Sequence, residues 1–186
     1  SGIGLAVAEL FLKSGATVAI NHLPNDARAI RTVNDLAAKG AKVLSAPGDV
    51  SDAASAVSMV SDATERLGGL HFLINNAGIT RDSFLKKMSP EQWYAVINTN
   101  LNSVFNVTRQ VVDGMAERGW GRIINISGIA GSSVLSSALT HGLNNAAMNQ
   151  VTTYLAKDLS KDRITVNSVI PGLIATEWRE SWAESA

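Results

Sequence analysis

The sequence predicts a doubly wound α/β fold, a parallel sheet covered by helices on both faces. Three observations carry that expectation. Helical periods and short apolar runs alternate along the chain. The run Leu-His-Phe-Leu-Ile-Asn at 70–75 is nearly continuous in apolar character, as a strand buried on both faces requires. Glycines close the segments at Gly15, Gly40, Gly68-Gly69 and Gly172, which leaves short connections of the kind this architecture uses.

Each element has its own reason. Ile3, Val7, Leu10 and Phe11 form one stripe, which predicts a helix over Gly4–Lys13 ended by Ser14-Gly15. Ala16–Asn21 reads as a buried strand, Asp26–Lys39 as a polar helix stopped at Gly40, and Ala41–Ala46 as the next strand. A helix over Asp52–Leu67 leads into the strand Leu70–Asn75. Ser89-Pro90-Glu91-Gln92 opens a long helix, because Ser89 can cap, Pro90 has no N–H to lose and Gln92 can reach back. That helix is expected to run to Arg118. A strand at Gly121–Ser127, a helix at Asn144–Leu159 and a strand at Arg163–Ile170 complete the series. Right-handed crossovers make such a sheet Rossmann-like.

Composition narrows the function classes. The 186 residues, 46% of them hydrophobic, suit a single domain over 1–186, since chains of roughly this size bury a full core. Sixteen basic and sixteen acidic residues balance, so no basic excess points to nucleic acid or an anionic membrane. The absence of cysteine excludes disulfides, thiolate nucleophiles and thiolate metal ligands. His22, His71 and His141 lack metal-ligand spacing, so no metal site is expected. No apolar run approaches the ~20 residues that span a bilayer. The opening Ser-Gly-Ile-Gly lacks a basic leader, and the expectation is a soluble cytoplasmic domain.

Three glycine- or asparagine-rich turns concentrate at one sheet edge. Ser1-Gly2-Ile3-Gly4 precedes a helix and reads either as part of a dinucleotide-binding turn, with phosphate on the helix N-terminus, or as a common glycine turn. Gly48-Asp49-Val50 and Asn75-Asn76-Ala77-Gly78 end consecutive strands. Each alone is ordinary turn chemistry. Together, at the carboxyl edge where ligands of parallel sheets bind, they outline a site.

With Asn98-Thr99-Asn100-Leu101, Ile124-Asn125-Ile126-Ser127 and Val166-Asn167-Ser168-Val169-Ile170-Pro171-Gly172, these turns make the whole chain resemble the short-chain dehydrogenase/reductase family. Ala77-Gly78-Ile79-Thr80-Arg81-Asp82 and Gly119-Trp120-Gly121-Arg122 resemble its branch of 3-oxoacyl carrier-protein and acetoacetyl-CoA reductases. That branch transfers a hydride from NADPH to a β-keto thioester. The resemblance implies a Tyr that protonates the carbonyl oxygen and a Lys that lowers the Tyr pKa and holds the ribose. It also implies a Ser that orients the carbonyl and an Asn that positions a relay water.

An ungapped count from Asn125-Ile126-Ser127 to Pro171-Gly172 puts Gly128 at the Ser position, His141 at the Tyr position and Asn145 at the Lys position. Asn100 alone keeps the family residue. Tyr154-Leu155-Ala156-Lys157 has spacing one short and lies two to three turns further along the helix, so Tyr154 is read as a packing residue. The expectation is a catalytically impaired member, a non-catalytic subunit able to pair with an active homologue. The alternatives are a working NADPH-dependent reductase in which His141 supplies the proton, and a normal reductase inactivated by laboratory substitution.

The resemblance implies cofactor contacts at Gly2, Ile3, Gly4, Asn21, His22, Asp49, Val50, Asn76, Ala77, Gly78, Pro171, Gly172 and Thr176. Asn21-His22 places no acid at the end of the second strand, so nothing repels a 2′-phosphate, which His22, Arg28 or Arg31 would approach; NADP(H) is expected over NAD(H). The helices at 90–118 and 144–159 resemble the pair that builds the family's oligomer interface, implying a homo- or hetero-oligomer. The family is longer at both ends, so a first, central strand and the C-terminal closing elements are expected to be missing here. Without that strand, the strands at 16–21 and 70–75 are expected to stay unpaired with each other.

Overall fold

The computed structural model describes residues 1–176. In chain order the elements are α1 (Gly2–Lys13), β1 (Val18–His22), α2 (Ala27–Ala38), β2 (Val43–Pro47), α3 (Ala53–Leu67), β3 (Phe72–Asn75), α4 (Pro90–Ile97), α5 (Ser103–Glu117), β4 (Gly121–Ile126), α6 (Leu139–Leu159) and β5 (Ile164–Val169). Every strand pairing is parallel: β1 with β2, and β4 between β3 and β5. Among the described residues the strands form a two-stranded sheet, β1-β2, and a three-stranded sheet, β3-β4-β5. No helix among them is long and apolar enough to cross a membrane.

The chain divides into two compact units. The first contains Ser1–Asp49, Ser58–Gly69 and the segment from Leu173. Here Asp26 caps α2, its carboxylate accepting from the N–H groups of Arg28 and Ala29. Gly40 ends that helix with φ +82°, a left-handed conformation that costs glycine least.

The second unit contains Val50–Val57 and Leu70–Gly172. Its core is β4, whose Ile123 and Asn125 are fully buried. Val104, Val107, Val111 and Met115 of α5 and Met148 of α6 are buried with them. Gly121 opens β4 beside Met115, where an added Cβ would lie 2.5 Å from the sulfur, so only glycine allows this approach.

Two helix predictions need correction. The helix expected from 90 to 118 begins with the predicted reciprocal cap between Ser89 and Gln92. It is interrupted by a π turn at Asn98–Asn102. A π turn takes an extra residue into the helix and commonly marks a functional site. Here Asn100 fastens it, accepting from the Ile79 N–H at 2.8 Å and donating to the Ile79 carbonyl at 2.9 Å. The second correction concerns α6, which begins at Leu139 rather than Asn144. Its extra turns contain Gly142, where a Cβ would sit 3.0 Å from the Ala130 carbonyl oxygen. The glycine that weakens the helical signal is what lets the short 3₁₀ turn Ile129–Gly131 pack against the helix.

Candidate functional site

Within the second unit the four positions implied by the resemblance fall around the beginning of α6. β4 ends at Ile126, and Gly128 follows it in an extended conformation. A Cβ on Gly128 would lie 3.1 Å from Asn145 Nδ2. Asn145 sits one helical turn after His141, and its Nδ2 is 3.3 Å from His141 Nε2. Gly128, His141 and Asn145 therefore meet. The π turn bearing Asn100 packs against α6, and its amide faces Gly78, where a Cβ would be 3.6 Å from Oδ1.

The chemistry of this cluster is unusual. Gly128 offers no hydroxyl, and its neighbour does not replace one, because Ser127 Oγ donates to the Asn145 carbonyl at 3.1 Å. Asn145 is buried and neutral, so the position that the resemblance assigns to an ammonium carries no charge. In the His141–Asn145 contact the amide nitrogen can only donate. Nε2 accepts that bond in the tautomer whose proton is on Nδ1.

Sequence reasoning missed Asp82. Its Oδ1 is buried without a hydrogen-bond partner. Burial raises its pKa above the ordinary carboxylate value, and the nearby His141 charge opposes that rise. The signal in the sequence was an acid placed four residues after Gly78, in the loop that follows a site-forming strand. A backbone bond from Ser83 N–H to the Ser137 carbonyl, 2.9 Å, ties this loop to the segment that leads into α6.

The remaining candidates of this unit occupy loops at the carboxyl ends of its strands. Asn76, Ala77 and Gly78 follow β3 and are exposed. Val50 is buried, its carbonyl accepting from Asn106 Nδ2 at 3.0 Å. The Pro171 carbonyl accepts from the Ile129 N–H at 3.2 Å, and Gly172 is open to solvent. Tyr154 departs from the expectation that it packs. It lies about 200° around α6 from buried Thr152 and is 68% exposed.

In the first unit the start of α1 has the properties of an anion site. The N–H groups of Gly2, Ile3 and Gly4 precede the first helical bond, from Leu5 N–H to the Ser1 carbonyl. No side chain caps this end, and its first turn holds no acid. Gly2 has φ +55°, and Thr176 approaches within 3.5 Å of where its Cβ would stand. An apolar groove of about 560 Å³ runs along Gly2, Ile3, Ala6, Val7 and Leu10 and is closed by Ile174 to Thr176.

At the end of β1, Asn21 Nδ2 is held by the carbonyls of Ala46 and Gly48, at 3.1 and 2.9 Å. Asp49 is partly buried directly after Gly48. His22 has both ring nitrogens engaged within the fold. It is buried, with Nε2 2.7 Å from Ser45 Oγ and Nδ1 2.8 Å from the Leu23 carbonyl. Side chains in strands alternate between faces, and His22 falls on the covered one. Arg28 and Arg31 on α2 are exposed.

Comparison with known proteins gives one consistent result. A profile described as short chain dehydrogenase matches residues 1–186. The chain is 45% identical over 176 residues to nodulation protein G of Azospirillum brasilense, covering 95% of this chain and 72% of that protein. It is 40% identical over 176 residues to an acetoacetyl-CoA reductase of Cupriavidus necator, again covering 95% and 72%. A solved structure of an actinorhodin polyketide ketoreductase variant with NADPH matches it with a TM-score of 0.93 at 32% identity, covering 100% of this chain and 71% of that one.

Proposed function

The chain belongs to the short-chain dehydrogenase family, and within it we propose an NADP(H)-binding member of the β-ketoacyl thioester reductase branch whose carbonyl reduction is strongly impaired. One observation carries this reading: Gly128, His141 and Asn145 meet at the head of α6 and bring together no hydroxyl, phenol or ammonium. Loss of a general acid lowers a rate by about 10²–10⁴, and loss of an oxyanion-type donor by about 10²–10³. These losses do not multiply, but a site without any of the three groups retains little of their effect.

The uncapped start of α1 fits a dinucleotide phosphate, because free N–H groups and the helix dipole both favour an anion. Gly2, Ile3, Gly4 and Thr176 would hold it there. Arg28 and Arg31, with no acid at Asn21-His22, favour the 2′-phosphate of NADP(H) over NAD(H). The bound nucleotide would supply or accept the hydride. Exposed Tyr94, Phe105, Leu143 and Tyr154 on α4, α5 and α6 favour pairing with a second copy or an active homologue in the cytoplasm.

A second reading, in which His141 donates the proton and sustains residual reduction, is favoured by the Asp82 carboxylate beside it. NADPH fluorescence titration and NADPH oxidation with acetoacetyl-CoA test the proposal together. Binding with turnover orders of magnitude below the typical enzyme value of about 10 s⁻¹ is expected. Turnover near that value overturns it. Residual turnover that disappears in His141→Gln supports the second reading.

A further inference from the structure

We propose that the two loops leaving the candidate site in the second unit bind a coenzyme A thioester with a long acyl chain. The chain lies on the loop between β4 and α6, and the phosphates meet the loop between β3 and α4. The inference rests on the reading of this protein as a relative of the β-ketoacyl thioester reductases, and it names the form of thioester that the site takes.

Both loops begin at the site. The β3–α4 loop passes through Gly78 to Ile79, whose backbone Asn100 holds at 2.8 and 2.9 Å. The β4–α6 loop leaves through Gly128 and ends at Leu139, two residues before His141. The Ser83 N–H donates to the Ser137 carbonyl at 2.9 Å, so the loops lie side by side. Loops held on a rigid scaffold in this way are where ligand contacts concentrate.

Their chemistry differs. Between Arg122 and Lys157 the sequence contains no Asp, Glu, Lys or Arg, so the β4–α6 loop brings no fixed charge. It exposes Val134 completely, and Leu135 and Leu139 by nearly half. One exposed apolar side chain is ordinary, whereas several grouped beside a site mark a surface that something covers. The β3–α4 loop exposes Phe84 and Leu85 and, directly after them, Lys86 and Lys87. An uncharged apolar loop beside one that carries two cations fits an apolar chain attached to an anionic group. A long-chain coenzyme A thioester has both. Phe84 and Leu85 precede the lysines, where the uncharged arm joining thioester to phosphates would pass. These side chains are too few for a stable interface between two copies, which takes about 20–30 residues a side.

Calorimetric titration of the whole chain with butyryl-CoA, decanoyl-CoA and coenzyme A tests the proposal. These saturated thioesters have no keto group to reduce, so binding is read without turnover. Decanoyl-CoA is expected to bind about 10–100-fold more tightly than butyryl-CoA, since a fully buried methylene adds about fourfold and this surface is open on one side. Val134→Ser/Leu135→Ser should shrink that ratio to about threefold or less. Lys86→Gln/Lys87→Gln should weaken both thioesters by about 3–10-fold and flatten their salt dependence. All four side chains are exposed, and melting curves report that each variant is folded. Equal affinity for the two thioesters, or a ratio unchanged in folded Val134→Ser/Leu135→Ser, overturns the acyl surface. Lysine variants without effect overturn the coenzyme A assignment. A dimer in sedimentation that Val134→Ser/Leu135→Ser dissociates, with thioester affinity unchanged, shows that a second copy covers the loops and overturns the proposal. Binding of butyryl-CoA without a gain for decanoyl-CoA refutes this inference alone, whereas no binding of any thioester refutes the thioester reductase reading beneath it.

Discussion

Asn75 Nδ2 donates to Asn125 Oδ1 at 2.8 Å, so the last paired residues of β3 and the matching residues of β4 are joined by side chains as well as by backbone. Asn125 is fully buried and passes the connection on, its Nδ2 donating to Thr152 Oγ1 at 2.9 Å. Thr152 in turn donates to the Met148 carbonyl at 2.8 Å. The chain of bonds runs from the sheet edge into the helix that bears His141 and Asn145. Asn125→Ala leaves the Asn75 amide short of an acceptor and should lower stability by about 2 kcal/mol in urea unfolding. The double variant Asn75→Ala/Asn125→Ala should cost less than the sum of the two single changes. Additive losses would show that the pair does not act as a unit.

Gly131 is a more severe point of contact. A Cβ there would lie 2.7 Å from the Ala146 nitrogen and 2.8 Å from the Asn145 carbonyl carbon. Both are backbone atoms, so relief requires α6 itself to move. Gly131→Ala should cost about 1–3 kcal/mol by overpacking and shift the His141 ring signals. Gly128→Ala meets only the Asn145 amide and should be milder. Equal thermal stability of the two variants would contradict this account.

The fold was legible because its signals are local. Glycine stops at Gly40 and Gly68, the Ser89–Gln92 cap and the apolar run at 70–75 are read without knowing what they touch. The missed features depend on partners distant in the chain. The π turn at Asn98–Asn102 is held by Ile79, and the early start of α6 depends on Ala130 approaching Gly142. The ring of His22 is engaged by Ser45, 23 residues away, a partner that the local sequence does not reveal. Asp82 was passed over as one polar loop residue among several, since its burial is a tertiary property.

Asp82 should be a stability liability. Burial is the main cause of its raised pKa, so the folded chain binds the Asp82 proton at pH values where the unfolded chain has released it. The favourable contribution is complete below the ordinary value of 3.8 and disappears as pH rises through the folded pKa. Asp82→Asn, which never ionises, should therefore melt higher than the unaltered chain at neutral pH. That advantage should vanish in acid, where both side chains are neutral. A lower melting temperature at neutral pH would contradict burial as the main cause of the raised Asp82 pKa.

Restoring the missing groups is the decisive experiment on the site. Gly128→Ser alone places a Cβ 3.1 Å from Asn145 Nδ2, a tight contact that displaces the amide without supplying an acid. His141→Tyr alone supplies a phenol whose ordinary pKa of about 10 suits neither direction of proton transfer near neutrality. Asn145→Lys supplies the cation that lowers it, and its long stem can carry the ammonium out of the buried position now held by the amide. The three changes depend on one another, so the triple variant should raise NADPH oxidation with acetoacetyl-CoA by about 10²–10⁴ while each single change adds little. NADPH affinity should hold or rise, because the resemblance has the lysine at position 145 also contact the cofactor ribose. A triple variant that is folded and binds NADPH yet remains inactive would show that the family roles do not transfer to positions 128, 141 and 145.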